Sequence, residues 1–321
     1  MSQRAAAAVL VASLALASAW YVLKRVIDPN LQARQGFVEH VLAGQAEAPY
    51  QYRVLHPLLG HTLEGALPEA LGARWRHSLA YGLLSLVYFA GAYGFFHAWM
   101  RSLYSPAVAL LGTVLLAVPV PLAITGYIGE GDCLNLMAFA LGFWLMARRH
   151  DAWLPVVVGA ATLNRAQAVY LAVFYAAHLA ASGELGRRRR LAILVACGAA
   201  FLAAYLGLRG WYGPRPNPYG IAFNVAHNTS PRTLREVVAP LWLSVVAGPA
   251  LLAGVAFRRT TRFLRLSFLA LGPYLVAFFL EGILLELAKF LPAFLVMIPM
   301  AVQTLTGERP RDGTGPAPLA R

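Results

Sequence analysis

Charge is what this chain has least of. Only 13% of its 321 residues are charged and 59% are apolar, whereas soluble domains carry roughly 25% charged residues. That shortage excludes a water-facing globule of ordinary composition. Acids are scarcer still, at 14 against 27 lysines and arginines. Cysteine is nearly missing. Cys133 and Cys197 are the two present, with no disulfide or metal spacing, so both read as small core residues. The chain also lacks a phosphate-binding P-loop, a Gly-x-Gly-x-x-Gly turn, a His-Glu-x-x-His pair and a Gly-x-Ser-x-Gly elbow. Their absence excludes a nucleotide-driven pump, a zinc protease and a serine hydrolase of those types.

What is there is apolar and segmental. Apolar runs cover 5–23, 79–99, 105–127, 133–148, 154–163, 166–181, 191–208, 238–256, 266–280 and 286–305, and several approach the roughly 20 residues that the hydrocarbon layer demands. They predict an all-α, polytopic transmembrane helix bundle of about 8–10 membrane segments, forming one transmembrane domain over 1–306. The tail 307–321 reads as a short disordered cytoplasmic end. The N-terminus has two readings. Arg4, an alanine-rich run and Ala17-Ser18-Ala19 resemble a cleaved signal peptide. The run continues through Trp20, Tyr21, Val22 and Leu23, which favours an uncleaved anchor. Either way the N-terminus lies inside.

The net charge of +13 sits in short clusters between the runs, at Arg148-Arg149, Arg187 to Arg190 and Arg258-Arg259. Cytoplasmic loops look this way, while a nucleic-acid binder gathers its charge on one face. The bilayer is therefore the expected partner and nucleic acid is not; nothing in the chain names a protein partner. The stretch 154–181 is too long for one untilted span, and Asn164-Arg165 interrupts it. One long helix would carry Arg187 to Arg190 outside, against the orientation bias. A re-entrant V with both ends cytoplasmic keeps that cluster inside.

With the V in place, the remaining polar features collect on the outer side. They are loop 24–78, Gly129 to Asp132, the tip Asn164-Arg165, loop 209–237 with His227-Asn228, and the turn from Glu281 to Lys289. Polar groups held at membrane depth mark functional sites. In loop 24–78, Phe37, Val38, Val41 and Leu42 recur at helical spacing, as do Leu55, Leu58, Leu59, Thr62 and Leu63, predicting amphipathic helices in the interface.

Each candidate carries two readings. Asp28 is a solvated loop acid beside Lys24, Arg25 and Arg34, or a general base at the membrane surface; Glu39 offers the same choice. Arg53 and His56 share a helical face, suited to phosphate or to lipid headgroups. Glu130 and Asp132 repel unless a cation or a divalent metal lies between them, and Arg165 is the expected partner because an unpaired arginine at that depth is costly. Glu286 and Lys289 either neutralise each other or place Lys289 on phosphate.

Several motifs together carry a resemblance. Tyr50 to Pro57, Gly131-Asp132 before a span, Leu163 to Gln167, His227-Asn228 and Glu286 to Pro292 resemble uncharacterised bacterial membrane proteins that are similar to the glycosyltransferase C superfamily. Two departures stand out: the tip reads Asn164-Arg165-Ala166-Gln167 where Asn-Arg-Glu-Thr is expected, and Lys289 is displaced by one position from an expected arginine. The resemblance implies a bacterial inner-membrane enzyme of the cell envelope that takes sugar from a polyprenyl-phosphate lipid, without a cofactor. Asp28 would be its catalytic acid, and Arg53, His56, Arg165 and Lys289 would hold the departing phosphate. A transporter or flippase for a lipid-linked or anionic solute is the rival expectation, since broken helices occur there too.

Overall fold

The computed structural model describes residues 2–237 and 242–311, and no strand occurs among them. Among the described residues, six helical stretches are long and apolar enough to cross a membrane, with three shorter apolar helices beside them. The protein is an all-α multi-pass bundle.

The first span, α1 (Gln3–Val22), begins where the Ser2 hydroxyl accepts the Ala5 N–H at 3.2 Å, satisfying one of the orphan donors of a helix start. The helical backbone continues through a π-type turn at Leu23–Ile27, which carries Lys24 and Arg25, to Asp28. Two helices then fill the first loop as expected, α2 (Leu31–Leu42) and α3 (Leu55–Ala66). Helix α2 buries Arg34, Val38 and Val41, one face at i, i+4 and i+7. Helix α3 turns His56, Pro57 and Gly60 inward and leaves Leu58 and Leu59 exposed, the posture of a helix lying in a lipid interface. Glycine permits this approach, because a β-carbon at Gly60 would lie 2.1 Å from Tyr81 Cζ.

The long α4 (Gly72–Leu103) packs between α1 and α7 (Gly131–Ala147), with α5 (Pro106–Ala117) and α6 (Pro119–Ala123) alongside. Ser18 meets the Tyr93 hydroxyl at 2.9 Å across α1 and α4. Trp99 and Phe143 pack with ring centroids 4.6 Å apart, tilted by 47°, across α4 and α7.

The interrupted stretch folds as a hairpin. Helix α8 (Leu154–Thr162) stops at Leu163, Arg165 takes an extended backbone, and α9 (Val169–Ser182) follows until Gly183 ends it with a left-handed turn. At 9 and 14 residues, neither arm reaches the 30 Å of a span at about 1.5 Å per residue. Both open ends meet Arg190, which pairs with Asp151 before α8 and with Glu184 after α9. Helix α10 (Arg188–Tyr212) packs along the pair and buries only Cys197.

Helices α11 (Ile221–Asn228) and α12 (Pro231–Val237) fill the second loop. The expected segment 238–256 begins at 238–241, outside the described residues. Its remainder, α13 (Gly248–Ala256), packs on the last helix, and α14 (Arg262–Glu281) leads to α15 (Leu291–Thr306). The tail departs from expectation. Residues 307–311 dock on the turn between α4 and α5, where the Ser105 N–H and hydroxyl donate to Glu308 at 2.6 and 2.7 Å. The carboxylate thereby caps the positive end of α5, and Arg311 N–H adds a bond to Leu103 O. The rest of the tail lies outside the described residues.

Candidate functional site

The hairpin tip latches onto the start of α7. Asn164 Nδ2 donates to Gly131 O at 2.6 Å. Arg165 Nη2 donates to Asp132 Oδ2 at 2.6 Å and to Ile128 O at 3.3 Å. The partner expected for a buried arginine is therefore present, and both side chains are almost fully enclosed.

Beside the tip lies an open groove of about 530 Å³. Its walls are two helix faces that both pack on α9. From α10 come Phe201, Tyr205, Leu208 and Arg209; from α14 come Tyr274, Ala277, Phe278 and Glu281, each set at i, i+3/i+4, i+7 spacing. Four cations line it: Arg53, Arg165, Arg209 and Lys289. Gln167 braces the floor, accepting from Asn135 and donating to the Tyr274 hydroxyl and Lys289 O.

These cations are not equivalent. Arg165 is neutralised by Asp132, and Lys289 by Glu286. Arg53 lies over the Tyr50 ring at 5.0 Å. Arg209 sits between Tyr205 and Tyr52, at 3.5 and 4.4 Å from the ring centroids. Neither Arg53 nor Arg209 has a carboxylate partner among the described residues. Burial, and then the Arg165 guanidinium, push Arg53 below the usual arginine range. An arriving anion would relieve both strains.

A second, much narrower pocket shares Arg53 and Arg165 with the groove and is lined also by Arg34, His56, Tyr81 and Tyr127. A chain of buried groups stands behind it. Arg34 donates to Glu130 at 2.5 Å and to His77 Nε2 at 2.8 Å, and His77 Nδ1 meets Glu64 at 2.9 Å. Arginine has only donors, so His77 Nε2 accepts and Nδ1 carries the proton to Glu64. His56 Nε2 approaches Glu130 at 3.6 Å. Glu130 Oε1 and Asp132 Oδ1 are buried without hydrogen-bond partners.

Of the candidates read from the sequence, Arg53, His56, Glu130, Asp132, Asn164, Arg165, Glu286 and Lys289 gather around these two cavities. The other four do not. Asp28 is held by Lys24 at 2.8 Å and Ser78 at 3.0 Å, and lines neither cavity. Glu39 is exposed on the face of α2 opposite its buried residues. His227 stacks on Phe223. Asn228 turns to the backbone, donating to Phe279 O and Gly282 O and accepting from Leu284 N–H. No group of three His, Cys, Asp or Glu among the described residues could hold a metal ion.

Three contributors were not read as site residues from the sequence. Arg34 had a usable signal, since it falls four and seven residues before Val38 and Val41 on the apolar face of α2. Arg209 and Glu281 simply end apolar runs, and no local pattern separates them from solvated helix termini. Comparison with known protein families, curated proteins and solved structures finds no match to this chain.

Proposed function

We propose that the groove receives a lipid-linked phosphate, and that the protein transfers a sugar from a polyprenyl-phosphate donor to an extracytoplasmic acceptor. One observation carries this reading: a groove walled by aliphatic and aromatic side chains with four cations on its rim, two of them unneutralised. An isoprenoid tail suits the walls and a phosphate suits the guanidiniums, which grip such oxygens in bidentate fashion. Sugar transfer turns a phosphodiester into a phosphomonoester with more negative charge. Arg53 and Arg209 would stabilise that developing charge.

In this reading the arginine-rich end that holds Arg148, Arg149 and Arg187 to Arg190 is cytoplasmic, in a bacterial inner membrane, and so is the N-terminus. The site then opens on the other side.

The test is reconstitution of the protein in liposomes with mixed polyprenyl-phosphate sugars and a hydroxyl acceptor, followed by mass spectrometry for freed polyprenyl phosphate. Arg53→Ala should raise the donor KM about 10-fold or more, the worth of a charged hydrogen bond. Labelled lipid that crosses the bilayer with no donor cleaved would overturn the transferase reading in favour of a flippase.

A further inference from the structure

Sugar transfer to a hydroxyl needs a base within hydrogen-bond reach of the attacking oxygen. The carboxylates of the described residues can be sorted by what occupies them. Asp132, Glu130 and Glu286 are tied to Arg165, Arg34 and Lys289. Asp151 and Glu184 are tied to Arg190 at the opposite end of the bundle. Asp28 is bonded to Lys24 and Ser78 away from both cavities. One carboxylate lines the groove, and it is Glu281.

Its placement follows from α14. Tyr274, Phe278 and Glu281 fall at i, i+4 and i+7, so the acid continues the face that walls the groove. The last turn is pinned from outside: Asn224 donates to Leu280 O at 3.2 Å, and Asn228 to Phe279 O and Gly282 O at 2.8 Å each. Glu281 itself is exposed and makes no ion pair or side-chain hydrogen bond among the described residues.

We infer that Glu281 is the general base of the transfer, an assignment that rests on the transferase reading above. The acceptor oxygen bonds to the anomeric carbon, and the bond from that carbon to the phosphate oxygen breaks with its electron pair going to the phosphate. The acceptor proton passes to the Glu281 carboxylate and then to water. Tyr170 on α9, Arg209 and Lys289 line the same groove as the acid.

Steady-state kinetics on Glu281→Gln, in the full protein in liposomes with the donor that the unaltered protein uses, tests this role. Turnover should fall about 10²–10⁴-fold, with the donor KM and the binding of polyprenyl phosphate retained. Glu281→Asp should recover part of the rate. Full turnover in Glu281→Gln overturns the assignment and leaves the transferase reading standing, because a solvated rim acid would behave that way. Loss of polyprenyl-phosphate binding in the variant makes Glu281 structural and overturns it too. An equal loss in Asp28→Asn, with Glu281→Gln active, returns the base to Asp28. If the unaltered protein frees no polyprenyl phosphate from any donor, the reading and this role fall together.

Discussion

Removing the cation from the Asp132–Arg165 pair should expose how much the hairpin tip depends on it. In Arg165→Met the Asp132 carboxylate keeps its burial, with its side chain 3% exposed, and Oδ1 already has no partner. Arg53 and Lys289 act on it only at longer range. Breaking a buried ion pair by deleting one member costs about 3–5 kcal/mol, a factor of roughly 150 or more in the folding equilibrium at 1.4 kcal/mol per tenfold. Asp132→Asn alone removes the charge but leaves Arg165 with Ile128 O, so it should cost less. The double variant strands no charge, and it should lie above the sum of the singles by a coupling of about 2–3 kcal/mol. Equilibrium unfolding in mixed micelles measures all four proteins. If the singles add within roughly 0.5 kcal/mol, the pair does not hold the tip, and the account of why the helix breaks at Asn164-Arg165 is wrong.

Helix α3 supplies an internal control: Gly60→Ala should lose about 1–3 kcal/mol by overpacking against Tyr81, while Gly65→Ala, with nothing within 4 Å, should hold or gain stability by its better helix propensity. Thermal denaturation in detergent separates them, and equal melting temperatures would refute the close approach. For the topology, single cysteines at Ser182 and Asn217 can be labelled with an impermeant reagent in intact cells. Asn217→Cys should react and Ser182→Cys should not; reaction at Ser182→Cys means that one open end of the hairpin faces outward.

Much of the architecture was legible because span length and helical period are local properties. An apolar run of membrane length can satisfy its backbone groups only as a helix, so α1, α4, α10, α14 and α15 could be placed from their composition. The helices α2 and α3 announced themselves by spacing, and Asn164-Arg165 marked the break because an arginine there cannot continue a lipid-facing surface. The demand that Arg165 find an acid was likewise readable, and Asp132 meets it. Which polar groups confront one another was not readable. Arg34 and Glu130 are 96 residues apart, and only the rotation of α2 against α7 joins them. Asp28 was open between a loop acid and a general base, and only the fold shows its oxygens bonded to Lys24 and Ser78 away from both cavities. Asn228 looked like a ligand contact and turned out to hold the end of α14. Arg209 and Glu281 become neighbours of one groove because α10 and α14 both rest on α9 with those faces turned towards each other. A helix's sequence determines what its surface carries, but the angle and register at which it packs are settled by its neighbours. Those two quantities decided the site.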